Sequence, residues 1–175
     1  MNIRPAGIAD AQAIARIHMD SWRNTYCGLL PDKFLDELRL EDRVKRWEQR
    51  LADQESGEFF YVAEDVGGDV IGFASGGPER TGHPRYKGEL WTLHVMKQYQ
   101  GLGLGRRLFA AVAKRLHDMG TGTLLLWVLK GNPACGFYER LGGVFLTEEV
   151  KDYSGGSVAE VAYGYEDIGV LTSDE

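Results

Sequence analysis

The glycine-rich turn that decides the fold reads Gln100-Gly101-Leu102-Gly103-Leu104-Gly105. It joins the strand-like run from Glu89 to Val95 to the segment from Leu102 to Met119, where apolar residues recur at helical spacing. The first N–H groups of a helix have no partner within the helix, and they lie at the positive end of its dipole. Glycine adopts positive φ angles and lets a ligand approach the backbone closely. The turn therefore predicts a site for a phosphate-bearing ligand, with Arg106 and Arg107 adding positive charge beside it.

Two common phosphate-binding patterns do not fit this turn. A P-loop would close on Gly-Lys-Ser or Gly-Lys-Thr, whereas the sequence here continues Gly105-Arg106-Arg107. The dinucleotide pattern Gly-x-Gly-x-x-Gly would need a glycine at position 106, where an arginine stands. The alternative that stays open is a tight connection between a strand and a helix, with no ligand.

Strand-like and helix-like segments extend on both sides of the turn. The predicted strands are Asn2 to Arg4, Phe59 to Ala63, Val70 to Ala74, Glu89 to Val95, Leu124 to Leu129, Val144 to Val150 and Val158 to Tyr165. The predicted helices are Ala9 to Arg23, Pro31 to Leu38, Glu41 to Leu51, Leu102 to Met119 and Asn132 to Leu141. This order predicts an α/β (α+β) fold in which helices pack on a mixed sheet, and we expect residues 1–175 to form a single domain.

Composition and charge narrow the classes of function. The 175 residues are 43% hydrophobic and carry a formal net charge of -6, which argues against nonspecific binding to nucleic acid. No apolar run is long enough to span a membrane and the N-terminus has no leader-like pattern, so we expect a cytoplasmic protein. Cys27 and Cys135 lie far apart, outside any metal-binding spacing, and we expect no metal site.

The sequence resembles the GNAT superfamily of N-acyltransferases over most of Ile3 to Tyr165, and most specifically from Glu89 to Gly143. The family's pyrophosphate-binding motif, Arg or Gln-x-x-Gly-x-Gly or Ala, is matched by Gln100, Gly103 and Gly105. The run from Asn132 to Gly143 resembles the family's later helical segment. Two positions depart from the family pattern, namely Lys97 in place of a frequent proline and Val144 in place of a phenylalanine.

The resemblance implies a mostly antiparallel sheet of about seven strands, splayed between the fourth and the fifth, with about four to five flanking helices. It implies that acetyl-CoA, the co-substrate, lies in the gap with its pyrophosphate on the turn. The cofactor-binding residues implied are Leu93, His94, Val95, Gln100, Gly101, Leu102, Gly103, Leu104, Gly105, Arg106, Asn132 and Tyr138.

The reaction implied is direct attack of a primary amine on the thioester, which requires a base, an oxyanion donor and an acid. The resemblance places Glu89 as the base, acting through a water; the alternative is an exposed glutamate at the start of a strand. His94 is a second candidate for the base; the alternative is a packed or hydrogen-bonding residue. The backbone N–H of Leu93 would hold the oxyanion, and Tyr138 would protonate the thiolate unless it is simply a packed tyrosine.

The acceptor is expected to be an amine of a small molecule, a peptide or a protein. Candidate acceptor-binding residues, which core packing would also explain, are Trp22, Arg23, Tyr26, Trp91 and Tyr153. Two alternatives stay open: a non-catalytic domain of this fold that senses acyl-CoA, and a partner-binding protein whose turn holds no cofactor. The family resemblance also suggests a homodimer.

Overall fold

The computed structural model describes residues 1–25, 39–153 and 156–171. Its seven strands are β1 Asn2–Pro5, β2 Phe59–Glu64, β3 Val70–Pro78, β4 Gly88–Val95, β5 Leu124–Leu129, β6 Val144–Tyr153 and β7 Gly156–Tyr165. Its four α-helices are α1 Ala11–Thr25, α2 Leu40–Ala52, α3 Leu104–Asp118 and α4 Ala134–Arg140. The helix predicted from Pro31 to Leu38 lies outside the described residues.

The strands form one mixed sheet in the order β1-β2-β3-β4-β5-β7-β6. Every neighbouring pair is antiparallel except β4 and β5, which run parallel. The predicted mixed and mostly antiparallel sheet is therefore confirmed. Within the described residues, no helix is long and apolar enough to cross a membrane.

The parallel strands β4 and β5 are paired over a short length and then diverge. Only three residues of β4 pair with β5, the last pair being Leu90 with Leu126. Beyond this point β4 stays paired with β3 as far as Val95, and β5 stays paired with β7 as far as Leu129. The sheet is therefore splayed between its fourth and fifth strands, as the family resemblance implies.

A bulge on β4 lies where the two strands part. Leu90 is paired with Gly76 and Thr92 with Ser75, so that Trp91 is an extra residue with no counterpart on β3. Such a bulge bends its strand and increases the local twist. It therefore helps to carry the second half of β4 away from β5.

Helices cover both faces of the sheet. The buried side of α3, formed by Leu104, Leu108, Val112 and Leu116, packs on one face as its periodicity predicts. On the other face, α1 and α2 pack against β2 and β3 through a second apolar cluster around Trp47 and Phe73. The predicted start of α1 at Ala9 is instead a short 3₁₀ turn, Ile8–Asp10, and the α-helix follows it.

Two buried histidines pack between α1 and the sheet. The ring centroid of His18 lies 5.1 Å from that of His94 and 5.3 Å from that of Trp47. His94 on β4 shares a hydrogen bond of 2.9 Å between Nδ1 and the hydroxyl of Ser21. Burial lowers the pKa of His94 to about 4, and it also lowers the pKa of His18 well below its usual range. Both imidazoles are therefore uncharged near pH 7.

These histidines should make the protein less stable in mild acid. Below pH 6.5 the unfolded chain takes up protons on His18 and His94 that the folded chain does not, so the free energy of unfolding falls with pH. The loss should approach about 1.4 kcal/mol per pH unit for each histidine, and for His94 it should end near pH 4. Urea unfolding between pH 7.5 and pH 4.5 measures the slope.

The variant His94→Gln keeps a polar side chain but cannot titrate. Its free energy of unfolding should therefore fall less steeply than that of the wild type over the same pH range. Identical slopes for the two proteins would show that His94 does not resist protonation in the folded state.

Candidate active site

The gap between β4 and β5 opens into a cavity of about 840 Å³. Its walls come from the diverging halves of β4 and β5, from α1, from the glycine-rich turn before α3 and from α4. This volume is within the range of pockets that bind cofactors and other small ligands. The cavity is therefore the candidate active site.

The glycine-rich turn forms one end of the cavity. Gly101 and Gly103 both have left-handed backbone angles, with φ of +76° and +79°, and α3 begins immediately after them at Leu104. Both glycines line the cavity together with Gly105 and Arg106. Left-handed residues at a helix start turn successive N–H groups toward one point, which makes an anion-binding concavity. The turn therefore has the form expected of a phosphate site.

The non-glycine residues of the turn hold it in place. The side-chain amide of Gln100 donates a hydrogen bond of 3.0 Å to the carbonyl oxygen of Val95, which ties the turn to the end of β4. Leu104 is buried in the core below the helix, whereas Leu102 is exposed. Of the predicted cofactor-binding residues in this segment, Leu102 and Leu104 are therefore not among the described residues that line the cavity.

The second half of β4 forms a long wall of the cavity. Leu93, His94 and Val95 all line it, and they lie beyond the last residue of β4 that pairs with β5. This edge of the strand therefore faces the gap without a neighbouring strand on that side. A free strand edge is the element that an extended ligand with amide groups can pair with.

Asn132 and Tyr138 come from the opposite side of the gap. The side-chain oxygen of Asn132 accepts a hydrogen bond of 2.8 Å from the backbone of Ala134, so this residue caps the start of α4 directly after β5. Tyr138 is 6% exposed, lines the cavity and lies against the ring of Phe137 at 5.1 Å between centroids. The structure thus brings Leu93 of β4 and Tyr138 of α4 to the same cavity.

Glu89, the predicted base, is buried in the sheet and is not among the described residues that line the cavity. It lies in the part of β4 that still pairs with β5, and it is 1% exposed. Its carboxylate accepts hydrogen bonds from the backbone N–H and from Nε of Arg80, both at 3.1 Å, and is ion-paired with Nη2 of the same arginine. The guanidinium group of Arg80 also lies 4.2 Å from the centre of the Trp91 ring.

The predicted acceptor-binding residues are divided among three locations. Trp22 of α1 and Trp91 of β4 line the cavity, whereas Arg23 is exposed and lines a smaller depression between α1 and α2. Tyr153 is the last residue of β6. Tyr26 lies outside the described residues.

Several residues that line the cavity were not predicted as site residues from the sequence. His18 and Ser21 of α1, Trp127 of β5 and Glu160 of β7 all line the cavity. The sequence does contain a signal that could have identified Glu160, because it is a charged residue between Ala159 and Val161 in a predicted strand of apolar and small residues. Across residues 1–25, 39–153 and 156–171, no group of three His, Cys, Asp or Glu residues is placed to hold a metal ion.

Comparisons with known proteins agree with this geometry. The model of the acetyltransferase (GNAT) family matches residues 12–143. The chain is 33% identical over 171 residues to an uncharacterized N-acetyltransferase, YuaI, of Bacillus subtilis, covering 98% of this chain and 96% of that protein. It is 32% identical over 143 residues to an L-methionine sulfoximine/L-methionine sulfone acetyltransferase of Pseudomonas aeruginosa, covering 81% of this chain and 78% of that protein.

A solved structure has the same fold with a ligand. It is yncA, a putative acetyltransferase from Salmonella typhimurium with its cofactor acetyl-CoA, which has a TM-score of 0.71 and 23% identity and covers 100% of this chain and 95% of that chain. The family model matches residues 12–143. The splayed sheet and the glycine turn at its gap agree with this match. This chain belongs to the GNAT family of acetyltransferases.

Proposed function

We propose that this protein transfers an acetyl group from acetyl-CoA directly to a primary amine of a small molecule, a peptide or a protein. The observation that carries the proposal is the meeting, in one cavity, of the glycine turn, the free edge of β4 and Tyr138. The relative named for acetylating L-methionine sulfoximine supports a small-molecule acceptor, and the structure of yncA with acetyl-CoA supports the donor.

The residues of the cavity fit the two ends of acetyl-CoA. The backbone N–H groups from Gly101 to Arg106 would hold the pyrophosphate, because the left-handed glycines leave no side chain in the way. The free edge of β4 at Leu93, His94 and Val95 would pair with the amide groups of the pantetheine arm, with Asn132 across the gap. The bound molecule supplies an acetyl thioester, an acyl group with a good leaving group.

The reaction requires an oxyanion donor and a proton donor beside the thioester. When the amine nitrogen bonds to the carbonyl carbon, negative charge builds on the carbonyl oxygen, and we assign the backbone N–H of Leu93 to hold it. When the carbon–sulfur bond breaks, the thiolate needs a proton, and we assign the hydroxyl of Tyr138 to donate it. Both groups belong to residues that line the same cavity from opposite sides.

The amine must lose its proton before it attacks, since an alkylammonium has a pKa of about 10.4. We propose Glu89 as the base. It would act through water, because its carboxylate is bonded to Arg80 and Glu89 is not among the described residues that line the cavity. The surroundings of the amine assist this step. His18 and His94 are uncharged near pH 7, and uncharged groups beside the amine favour its neutral form.

Three expectations from the sequence remain proposals alongside this function. They are that residues 1–175 form a single domain, that the protein acts in the cytoplasm and that it forms a homodimer. Size-exclusion chromatography with light scattering would decide the oligomeric state.

Gly103→Glu should abolish binding of acetyl-CoA. Its side chain would place a carboxylate where we expect the pyrophosphate, at a backbone φ of +79° that only glycine adopts easily. Acetyl-CoA at a hundred times its dissociation constant should stabilise the wild type by about 2.7 kcal/mol, and it should not stabilise the variant. Thermal unfolding with and without acetyl-CoA makes this measurement.

Gly82→Glu is the matched control for this prediction. Gly82 has a φ of +75° and open space around it, as Gly103 does, but it lies in the loop between β3 and β4, outside the lining of the cavity. The control variant should keep the stabilisation by acetyl-CoA. If Gly103→Glu were stabilised equally, the phosphate site would have to lie elsewhere.

Tyr138→Phe should lower kcat by at least about tenfold and leave acetyl-CoA binding unchanged, because it removes a proton donor but keeps the packed ring. The measurement is release of CoA thiol with a panel of primary amines, together with calorimetric binding of acetyl-CoA. Tyr163→Phe is the control, since its hydroxyl is bonded to Glu139 and does not line the cavity.

An unchanged kcat in Tyr138→Phe would remove this residue from the acid role. If the wild type bound acetyl-CoA but released no CoA with any amine, the result would favour the sensor alternative over the enzyme.

A further inference from the structure

The cavity carries opposite charges on different walls. Three cationic residues line it near the glycine turn and α4, namely Lys97, Arg106 and Arg140. Two carboxylates, Asp20 of α1 and Glu160 of β7, line it elsewhere. Cationic groups suit the phosphates of acetyl-CoA, but the carboxylates would repel them. The carboxylates therefore belong to the part of the cavity that receives the other substrate.

Glu160 and Trp127 lie together on the face of the sheet opposite α3. Glu160 is paired with Leu129 across the β5–β7 ladder, and Trp127 is two residues before Leu129, so all three share one face. The residues that alternate with them, such as Val128 and Val161, belong to the core beneath α3. This arrangement sets a carboxylate and an indole side by side in the wall of the cavity.

An ammonium group already occupies this position in the structure. Nζ of Lys151 lies 2.6 Å from Oε2 of Glu160 and 4.7 Å from the centre of the Trp127 ring. The Glu160 side chain is 12% exposed and that of Lys151 is 42% exposed. In addition, the indole nitrogen of Trp127 is buried without a hydrogen-bond partner among the described residues. A carboxylate and the face of an indole are together a favourable environment for an alkylammonium ion.

We propose that Glu160 and Trp127 form a subsite for an ammonium group of the acceptor, and that Lys151 occupies this subsite until the acceptor displaces it. The inference rests on the proposed acetyltransferase function and names the substrate class of the same site.

The bound ammonium cannot be the attacking amine. A carboxylate and an aromatic face stabilise the charged form of an amine, whereas attack on the thioester requires the neutral form. The acceptor therefore carries at least two amino groups, one held protonated at Glu160 and one free to reach the thioester. The substrate class is a diamine or a longer polyamine-like molecule.

The proposal predicts opposite effects for the two members of the ion pair. Glu160→Gln removes the charge that holds the acceptor, so the KM for a diamine should rise by about tenfold. Lys151→Met removes the internal competitor and keeps the length of the side chain, so the KM for a diamine should fall by about threefold. A purely structural ion pair would give effects in the same direction.

The test measures CoA release from acetyl-CoA with 1,5-diaminopentane and with 1-aminopentane, which lacks the second ammonium. The KM for 1-aminopentane should change by less than about twofold in either variant, because no second charge reaches Glu160. Lys130→Met is the matched control. It breaks another lysine–glutamate pair, with Glu148 of β6, whose residues do not line the cavity, and it should leave both KM values unchanged.

Calorimetric binding of acetyl-CoA separates this proposal from the proposed function. Its dissociation constant should be the same in all variants, since the changes lie away from the glycine turn. A rise in the diamine KM in both Glu160→Gln and Lys151→Met, or no change in either, would overturn the subsite while leaving the acetyltransferase in place.

A binding measurement keeps the subsite testable if no amine is turned over. The indole N–H resonance of Trp127, assigned with Trp127→Phe, should shift on titration with 1,5-diaminopentane and not with 1,5-pentanediol, which has no charge. Absence of a shift with the diamine, or an equal shift with the diol, would contradict the proposal.

Discussion

The structure depends on the early end of the pairing between β4 and β5. Three residue pairs, closed by Leu90 and Leu126, hold the two halves of the sheet together, and everything beyond them is open. At the start of this ladder Gly88 has no room for a side chain, because a Cβ there would lie 2.8 Å from Leu116 and 3.0 Å from a backbone oxygen of Thr123. The tight junction at one end and the bulge at Trp91 together create both the cavity and the free strand edge.

The glycine turn and α4 line the same cavity because β4 and β5 diverge and lead to opposite sides of it. The turn follows the free half of β4 directly and is tied to it through Gln100 and Val95. On the other side, Asn132 caps α4 directly after β5 and brings Tyr138 to the gap. The glycine turn, the strand edge and the tyrosine thus belong to two diverging strands and the elements that follow them. This explains why short sequence motifs could identify them.

The sequence predicted what depends on local pattern. The periodicity of α3, the continuous apolar run of β5 and the alternating glycines identified elements whose conformation is set by neighbouring residues. The surroundings of Glu89 could not be predicted, because its partner Arg80 comes from the loop between β3 and β4, where no period applies. The contact between Glu160 and Lys151 could not be predicted for a related reason. Their meeting with Trp127 depends on the registers of β5 with β7 and of β6 with β7, and a shift of one residue would turn them to the other face.

Both charged and neutral side chains line the cavity. Cations flank the glycine turn, carboxylates stand at Asp20 and Glu160, and the imidazoles of His18 and His94 are uncharged near pH 7. An ammonium beside Glu160 keeps its proton, but an amine beside neutral imidazoles and tryptophan rings gains nothing from being charged and loses its hydration. The same walls that bind one amino group of a diamine as a cation therefore favour the other as a free base. In the mechanism that we propose, this division lessens the demand on Glu89 as the base, since its carboxylate is already bonded to Arg80.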